Sequence, residues 1–193
     1  MAQLSGNKKI KTAVFISGTG SNLKNLIQFS KKKKSPISIN LIISNNFKSK
    51  GLRFAKIYKI KKKIFKFKEK ALDEKKLLKI LKDKGASLIC LAGFMEILSG
   101  NFIKSFKGKI LNIHPSLLPK YKGLDTHKRV LINKEKYTGC TVHFVSSKLD
   151  AGKIIVQKRI KIKRDDTPKK IAKRVLVEEH KLYPKAILKI FNL

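Results

Sequence analysis

Asn112 and His114 stand two residues apart at the end of the apolar run KILNI (109–113), and Pro115 follows at once. On an extended strand, residues at i and i+2 project to the same side, so an amide and an imidazole would reach one place. Amide and ring N–H groups can stabilise an oxygen that gains negative charge, and the ring can also move a proton. The same two groups could instead be polar side chains satisfied within a core. Asp150, ahead of Ala151 and Gly152, is the best carboxylate in the chain to orient His114. Taken alone, an Asp in that setting reads as a turn residue. The remaining histidines are His127, His143 and His180.

A second chemistry-bearing stretch is GTGSNL (18–23). It fails as a dinucleotide fingerprint, because Leu23 stands where the third glycine of G-x-G-x-x-G belongs, and it lacks the Gly-Lys-Ser/Thr ending of a P-loop. Gly20, Ser21 and Asn22 lead into a helix whose N-terminal N–H groups can cradle one phosphate. An ordinary strand–helix turn would have the same sequence.

Elements must carry these residues to one place. TAVFIS (12–17), ISINLIIS (37–44), ASLICLAGF (86–94) and KILNI read as buried strands, with a short strand near 63–67. GCTVHFVS (139–146) and GKIIVQKRIKI (152–162) form a hairpin pattern through SKLDAG. Helices are expected after the glycine turn, with Ser21 or Asn22 near the N-cap, and over KGLRFAKIYKIKKK, with Leu52, Ala55, Ile57 and Tyr58 as its apolar face. Another runs over 71–85, with Leu72, Leu78 and Leu81 on one face and Gly85 as its stop. A short helix falls at 101–106, and a long one opens at Asp166, Thr167 and Pro168. The fold class is therefore α/β: one domain over 1–193, with a mostly parallel twisted sheet flanked by helices, an antiparallel C-terminal hairpin and a long final helix. Residues 1–11 read as a flexible extension. In such sheets ligands bind beyond the strands' carboxyl ends, where GTG, AGFME and Asn112/His114 all fall.

Composition narrows the class. The hydrophobic share of 42% suits a globular core, and no run of about 18 apolar residues is present. No secretory signal is visible, and Cys90 and Cys140 suggest neither a disulfide framework nor a metal site, so a reducing cytoplasm is expected. Lys+Arg is 47 against Asp+Glu 12, a net charge of +35. Only Arg53, Arg129, Arg159, Arg164 and Arg174 are arginines, and the lysines are spread along the whole chain. Base recognition favours arginine forks, so the charge reads as a solvated surface. Neither a specific nucleic-acid partner nor a membrane is expected.

FISGTGSNLKNLI, LAGFMEILS, LNIHPSLLPKYKG, TGCTVHFV and LDAGKIIVQ, in this order, resemble glycinamide ribonucleotide transformylase. This is the folate-dependent phosphoribosylglycinamide formyltransferase family of purine synthesis, and the likeness runs from about residue 12 to 190. The resemblance implies catalytic roles for Asn112, His114 and Asp150. It places the substrate phosphate at Gly20, Ser21 and Asn22, and assigns Glu179 to the ribonucleotide. For 10-formyltetrahydrofolate, the formyl-donor cosubstrate, it implies Met95, Glu96, Ile97 and Leu98, then Ser146, Ser147, Lys148, Leu149 and Asp150, together with Asn112 and Lys70. It implies no metal and small-molecule partners; the oligomeric state is left open between a monomer and a weak dimer. Glu96 stands where the family usually has Arg. Lys70 aligns near a folate-contacting Arg, whose bidentate fork a lysine does not reproduce. Asp125 occupies a place where some relatives carry His. Formyltetrahydrofolate hydrolase and methionyl-tRNA formyltransferase share the core but add a domain before or after it, which the chain length is expected to exclude. A nucleic-acid-binding protein on the same core is the remaining alternative, and the presence of Asn112, His114 and Asp150 disfavours it.

Overall fold

The structure, a computed structural model, describes residues 9–193. Among these, strands β1 (Ile10–Ile16), β2 (Ile37–Ser44), β3 (Lys61–Ile64), β4 (Leu88–Leu91), β5 (Lys109–His114), β6 (Tyr137–Phe144) and β7 (Ile154–Lys161) form one sheet of order β3-β2-β1-β4-β5-β6-β7. The first five strands are mutually parallel, and β6 and β7 add on antiparallel. The helices are α1 (Ser21–Ser30), α2 (Arg53–Ile57), α3 (Lys70–Asp83), α4 (Gly100–Ser105), α5 (Thr126–Ile132) and α6 (Pro168–Ile190).

The alternation of side chains along each strand divides the core in two. Val14 and Ile16 of β1 join Cys90, Leu111 and Val142 beneath α1 and α6, whereas Ala13 and Phe15 join Ile89 and Ile110 beneath α3 and α4. With both faces covered, central strands read as continuous apolar runs. Tyr183, fully buried in α6, shares its hydroxyl proton between Leu91 O (3.0 Å) and Leu111 O (3.1 Å). That contact ties α6 to β4 and β5 near their carboxyl ends.

Several expectations are corrected. Strand β1 begins at Ile10, where the chain pairs with Ile37 and Ile10 N donates to Pro36 O (2.7 Å). Ile10 and Lys11 thus belong to the sheet and not to an N-terminal extension; residues 1–8 lie outside the described residues. The lysine-rich helix expected from residue 50 divides into a 3-10 turn (Lys50–Leu52), α2 and edge strand β3. Lys59 with φ 54 breaks it, and Ile57 is 62% exposed, so the apolar spacing did not mark a continuous buried face. The strand expected near 63–67 therefore lies at 61–64, and Phe65 and Phe67 continue into the core beyond it. Helix α3 buries Glu74, Leu77 and Leu81 at i, i+3 and i+7, while Leu72 is exposed. The expected face missed this rotation because a carboxylate occupies the apolar stripe. Glu74 accepts from Ser99 N (2.8 Å) and from the Ser99 hydroxyl, while Ser99 caps α4 by accepting from Phe102 N. Helix α5 was not anticipated: in THKRVLI only Thr126 and Val130 are buried.

Candidate active site

Strands β1, β4 and β5 end along one edge, with the order of strands reversing between β1 and β4, which is where open α/β sheets bind ligands. A cleft of about 730 Å³ opens there. Its walls include Phe94, Met95, Ile97, Leu98, Val145 and Leu149, and its floor Asn112, His114, His143 and Asp150.

The floor is set by sheet register. Asn112 lies directly opposite His143 across the antiparallel β5–β6 pair. His143 Nδ1 is 2.8 Å from Phe144 O, so that nitrogen carries the proton and Nε2 is an acceptor. Asn112 Nδ2, 3.2 Å from Nε2, donates to it. Burial holds the His143 ring below its usual range, outweighing the Phe144 carbonyl and Asp150, and the ring stays neutral. The second hydrogen of Asn112 Nδ2 points toward Asp150 Oδ1 at 3.4 Å.

His114 is arranged oppositely. Its Nε2–H donates to Tyr121 O (2.8 Å), and its Nδ1 lies 3.3 Å from Asp150 Oδ2. Both ring nitrogens face acceptors, so a proton belongs between Nδ1 and the carboxylate. Asp150, in the left-handed region at φ 45, is itself fixed by Gly123 N, which donates to Oδ2 at 2.9 Å. Short bonds to Tyr121, Gly123 and Phe144 therefore set the frame. The longer contacts of 3.3 and 3.4 Å leave one hydrogen each on His114 and Asn112 that can turn toward a ligand.

The glycine turn leads into α1, whose Asn22 lines the cleft. Gly20, the residue before α1, has φ 75, and a Cβ on it would lie 2.6 Å from Gly51 Cα. Only a glycine fits there. Gly18 O accepts from Gly51 N (3.0 Å) and from the Ser49 hydroxyl (2.7 Å), fastening the turn. Ser17 joins it to the cleft wall: its N–H donates to Gly93 O and its hydroxyl accepts from Met95 N. Ser21, rather than capping, is the first residue of α1. Asn22 is buried, lines the cleft and donates from Nδ2 to Glu179 Oε2 (2.7 Å). Burial pushes the Glu179 carboxyl up to about 7, with the Asn22 hydrogen bond pulling the other way.

Of the residues assigned from sequence, the cleft lining contains Asn22, Met95, Glu96, Ile97, Leu98, Asn112, His114, Ser146, Lys148, Leu149, Asp150 and Glu179. Lys70, at the start of α3, and Ser147 are not among its lining residues, nor are Gly20 and Ser21. Glu96 accepts from Asn45 Nδ2 (3.1 Å), which holds its charge in the cleft wall. The sequence reading did not give roles to His143, the Tyr121 carbonyl, Gly123 N or the cations Lys128 and Lys169, which also line the cleft or hold its floor. His143 was accessible in principle: it shares a strand face with Thr141 in GCTVHFV, and the hairpin pattern placed that strand beside KILNI.

An amide–imidazole–carboxylate cluster thus lies at the switch point of a largely parallel sheet. The chain belongs to the formyl transferase family, whose model, described as Formyl transferase, matches residues 10–187. It is 45% identical over 182 residues to the trifunctional purine biosynthetic protein adenosine-3 of Gallus gallus, covering 93% of this chain. It spans about 18% of that relative's length. Among solved structures, phosphoribosylglycinamide formyltransferase from Brucella melitensis superposes with a TM-score of 0.89 at 41% identity, covering 95% of this chain and 96% of that one. Glycinamide ribonucleotide transformylase 1 from Symbiobacterium toebii gives 0.90 at 33% identity, covering 97% and 90%.

Proposed function

We propose that this chain transfers a formyl group from 10-formyltetrahydrofolate to the amine of 5-phosphoribosylglycinamide, a step of purine biosynthesis. The observation that carries this reading is the Asn112–His143–Asp150–His114 cluster on the floor of a cleft that Asn22 and Glu179 also line. The apolar wall of Phe94, Met95, Ile97, Leu98 and Val145 fits a flat heterocycle. Bound there, 10-formyltetrahydrofolate supplies the formyl group.

The chain's residues then have separate tasks. Asn112 Nδ2 keeps one hydrogen on His143 and offers the other to an oxygen gaining negative charge. His114, anchored through Nε2, presents its Nδ1 hydrogen to the same oxygen. Asp150 balances the imidazolium and, directly or through water, takes a proton from the attacking amine and passes it to the folate nitrogen as the bond between that nitrogen and the formyl carbon breaks. Such donors act without reorganising when charge develops, and removing one typically costs on the order of 100- to 1,000-fold in rate. Gly20, Ser21 and Asn22 take the phosphate at the α1 N-terminus, and Glu179 accepts from hydroxyls of the ribonucleotide. Lys148, Leu149 and Ser146 close the folate side, as do Glu96 and the backbone around it. A single domain over residues 9–193 carries the whole set. Cys90 and Cys140 are buried free thiols, which suits a reducing cytoplasm, and no helix among the described residues is long and apolar enough to cross a membrane.

The deciding assay measures tetrahydrofolate formation with and without the ribonucleotide. Formation only in its presence supports the transferase, and equal release in its absence would replace it with a hydrolase.

A further inference from the structure

The loop between β5 and α5 supplies the site with two backbone groups. Tyr121 O accepts from His114 Nε2, and Gly123 N donates to Asp150 Oδ2. The loop presents them in a conformation that its chain does not favour by itself. Tyr121 (φ 57), Gly123 (φ 76) and Asp125 (φ 55) all lie in the left-handed region, which is unfavourable for the two that carry a Cβ. Glycine accepts either sign of φ readily, so Gly123 does not fix the orientation of the peptide plane that precedes it. That plane, between Lys122 and Gly123, carries the N–H that Asp150 accepts. Its opposite end is held by one side chain. Arg129 Nη1 donates to Lys122 O at 2.6 Å and to Leu124 O at 3.2 Å, and the guanidinium stands 5.3 Å from the centre of the Tyr121 ring.

We propose that Arg129 is a positioning residue for the reaction, locking the Lys122–Gly123 peptide so that its N–H, and not its C=O, faces Asp150. The inference rests on the reading of His114 and Asp150 as reacting groups. One peptide unit is bridged between a guanidinium at its oxygen and a carboxylate at its nitrogen. A cation and an anion so placed polarise the amide in the same sense, and each bond strengthens the other. Turning the plane over would break both bonds and aim the Lys122 carbonyl at the Asp150 carboxylate, negative end against negative charge. Asp150 would then leave the place where Oδ2 lies 3.3 Å from His114 Nδ1 and Oδ1 lies 3.4 Å from Asn112 Nδ2.

The task falls to Arg129 and to no neighbouring cation. Lys120, in the same loop, is already paired with Glu135 at 2.8 Å. Among the described residues Arg129 has no carboxylate within ion-pairing distance, so the two carbonyls and the Tyr121 ring are its partners. Its own N–H donates to Asp125 O (3.0 Å), so the helix turn that carries the guanidinium is built directly on the end of the loop that it holds. The two hydrogens of a single nitrogen serve carbonyls on either side of Gly123.

The test combines steady-state kinetics with proton–nitrogen correlation spectra of the full chain labelled at glycine nitrogen. In the parent the Gly123 amide, bonded to a carboxylate, should resonate downfield, and Arg129→Leu should move it upfield. Turnover of that variant should fall roughly tenfold, with both KM values within about twofold and the circular dichroism retained. Arg129→Lys can still donate to the two carbonyls, so it should keep the amide near its parental position and lose about threefold or less. Asn133→Ala removes a different tether of the loop, the donor to the Tyr121 hydroxyl at 3.1 Å, and should leave the amide in place. Its turnover should stay within about twofold of the parent. The proposal is overturned if Arg129→Leu turns over within about twofold of the parent, or if its turnover falls while the Gly123 amide stays where it was. It is equally overturned if Arg129→Lys or Asn133→Ala loses as much as Arg129→Leu, since any loosening of the loop would then have the same effect. The amide position is read without substrates. A parent that transfers no formyl group would thus overturn the proposed function, while the Gly123 resonance would still decide whether Arg129 holds the peptide.

Discussion

Asn112 and His143 face each other across the β5–β6 pair, and their side chains meet at 3.2 Å with the direction of the bond fixed by the Phe144 carbonyl. His143 thereby decides which end of the Asn112 amide faces Asp150. His143→Leu would remove the acceptor and free the amide to turn over. Turnover should fall roughly 10- to 100-fold, as expected for an unsatisfied buried donor, with a much smaller effect on either KM. Protonation makes Nε2 a donor against a donor. Because burial lowers the pKa of His143, the parent should lose activity by this route only below pH ~6.5, and the variant should lack that acid limb. A pH profile of turnover checks both points.

Asn112→Ala, His114→Ala and Asp150→Asn should each lower turnover on the order of 100-fold or more while the far-ultraviolet circular dichroism is retained. The three contacts converge on one carboxylate, Asp150 lying near Asn112, His143 and His114. Their losses should therefore be far from additive, a double variant falling little below its worse parent. His114→Ala with near-normal turnover would remove the catalytic assignment.

Asn112 and His114 were legible in the sequence because one strand carries both, and two-residue spacing is a property of the chain alone. Their grouping with Asp150 follows from a hairpin whose turn the sequence also marked. His143 was not assigned because its role depends on cross-strand register, which a one-residue slip would reverse. The parallel core strands were readable from continuous apolar runs buried on both faces. The α2–β3 region was not, since its lysines hide the break at Lys59, and neither was the buried face of α3, where Glu74 is held by Ser99.

The cleft wall carries an unexpected sign. Glu96 places a carboxylate, tethered by Asn45, in the cleft wall where the proposed folate, which itself bears carboxylates, would lie. Glu96→Gln should keep the Asn45 contact, because the amide oxygen still accepts, while withdrawing the repulsion. The folate KM should fall roughly two- to fivefold, in keeping with about 0.4 to 1 kcal/mol for a partly exposed charge, and the gain should shrink in high salt. Lys70→Ala should leave the folate KM within about twofold, a surface change away from the cleft lining. A larger rise would return Lys70 to the folate site. Steady-state kinetics of the two variants at two ionic strengths separates these outcomes.

Glu179 should make both stability and, if it holds the ribonucleotide as proposed, substrate affinity depend on pH. Its carboxyl rises from the ordinary 4.5 to about 7, chiefly because burial disfavours the charge. Below pH 4.5 the group is protonated in folded and unfolded chains alike and contributes no pH dependence. Between 4.5 and about 7 the folded chain holds the proton that the unfolded chain has released, so stability falls as pH rises; above that window it is flat again. The full drop is on the order of 3 kcal/mol at 1.36 kcal/mol per unit, equivalent to roughly 6 to 12 °C in Tm for a domain of this size. Glu179→Gln keeps an oxygen to accept from Asn22 Nδ2 but cannot ionise. Its Tm should exceed the parent's by most of that amount at pH 8, and the difference should vanish by pH 4.5. In the parent the ribonucleotide KM should improve as pH passes 7, where the ionised carboxylate becomes a better acceptor for hydroxyls, and in Glu179→Gln it should stay flat. Parallel Tm curves across this range would show that Glu179 does not titrate there.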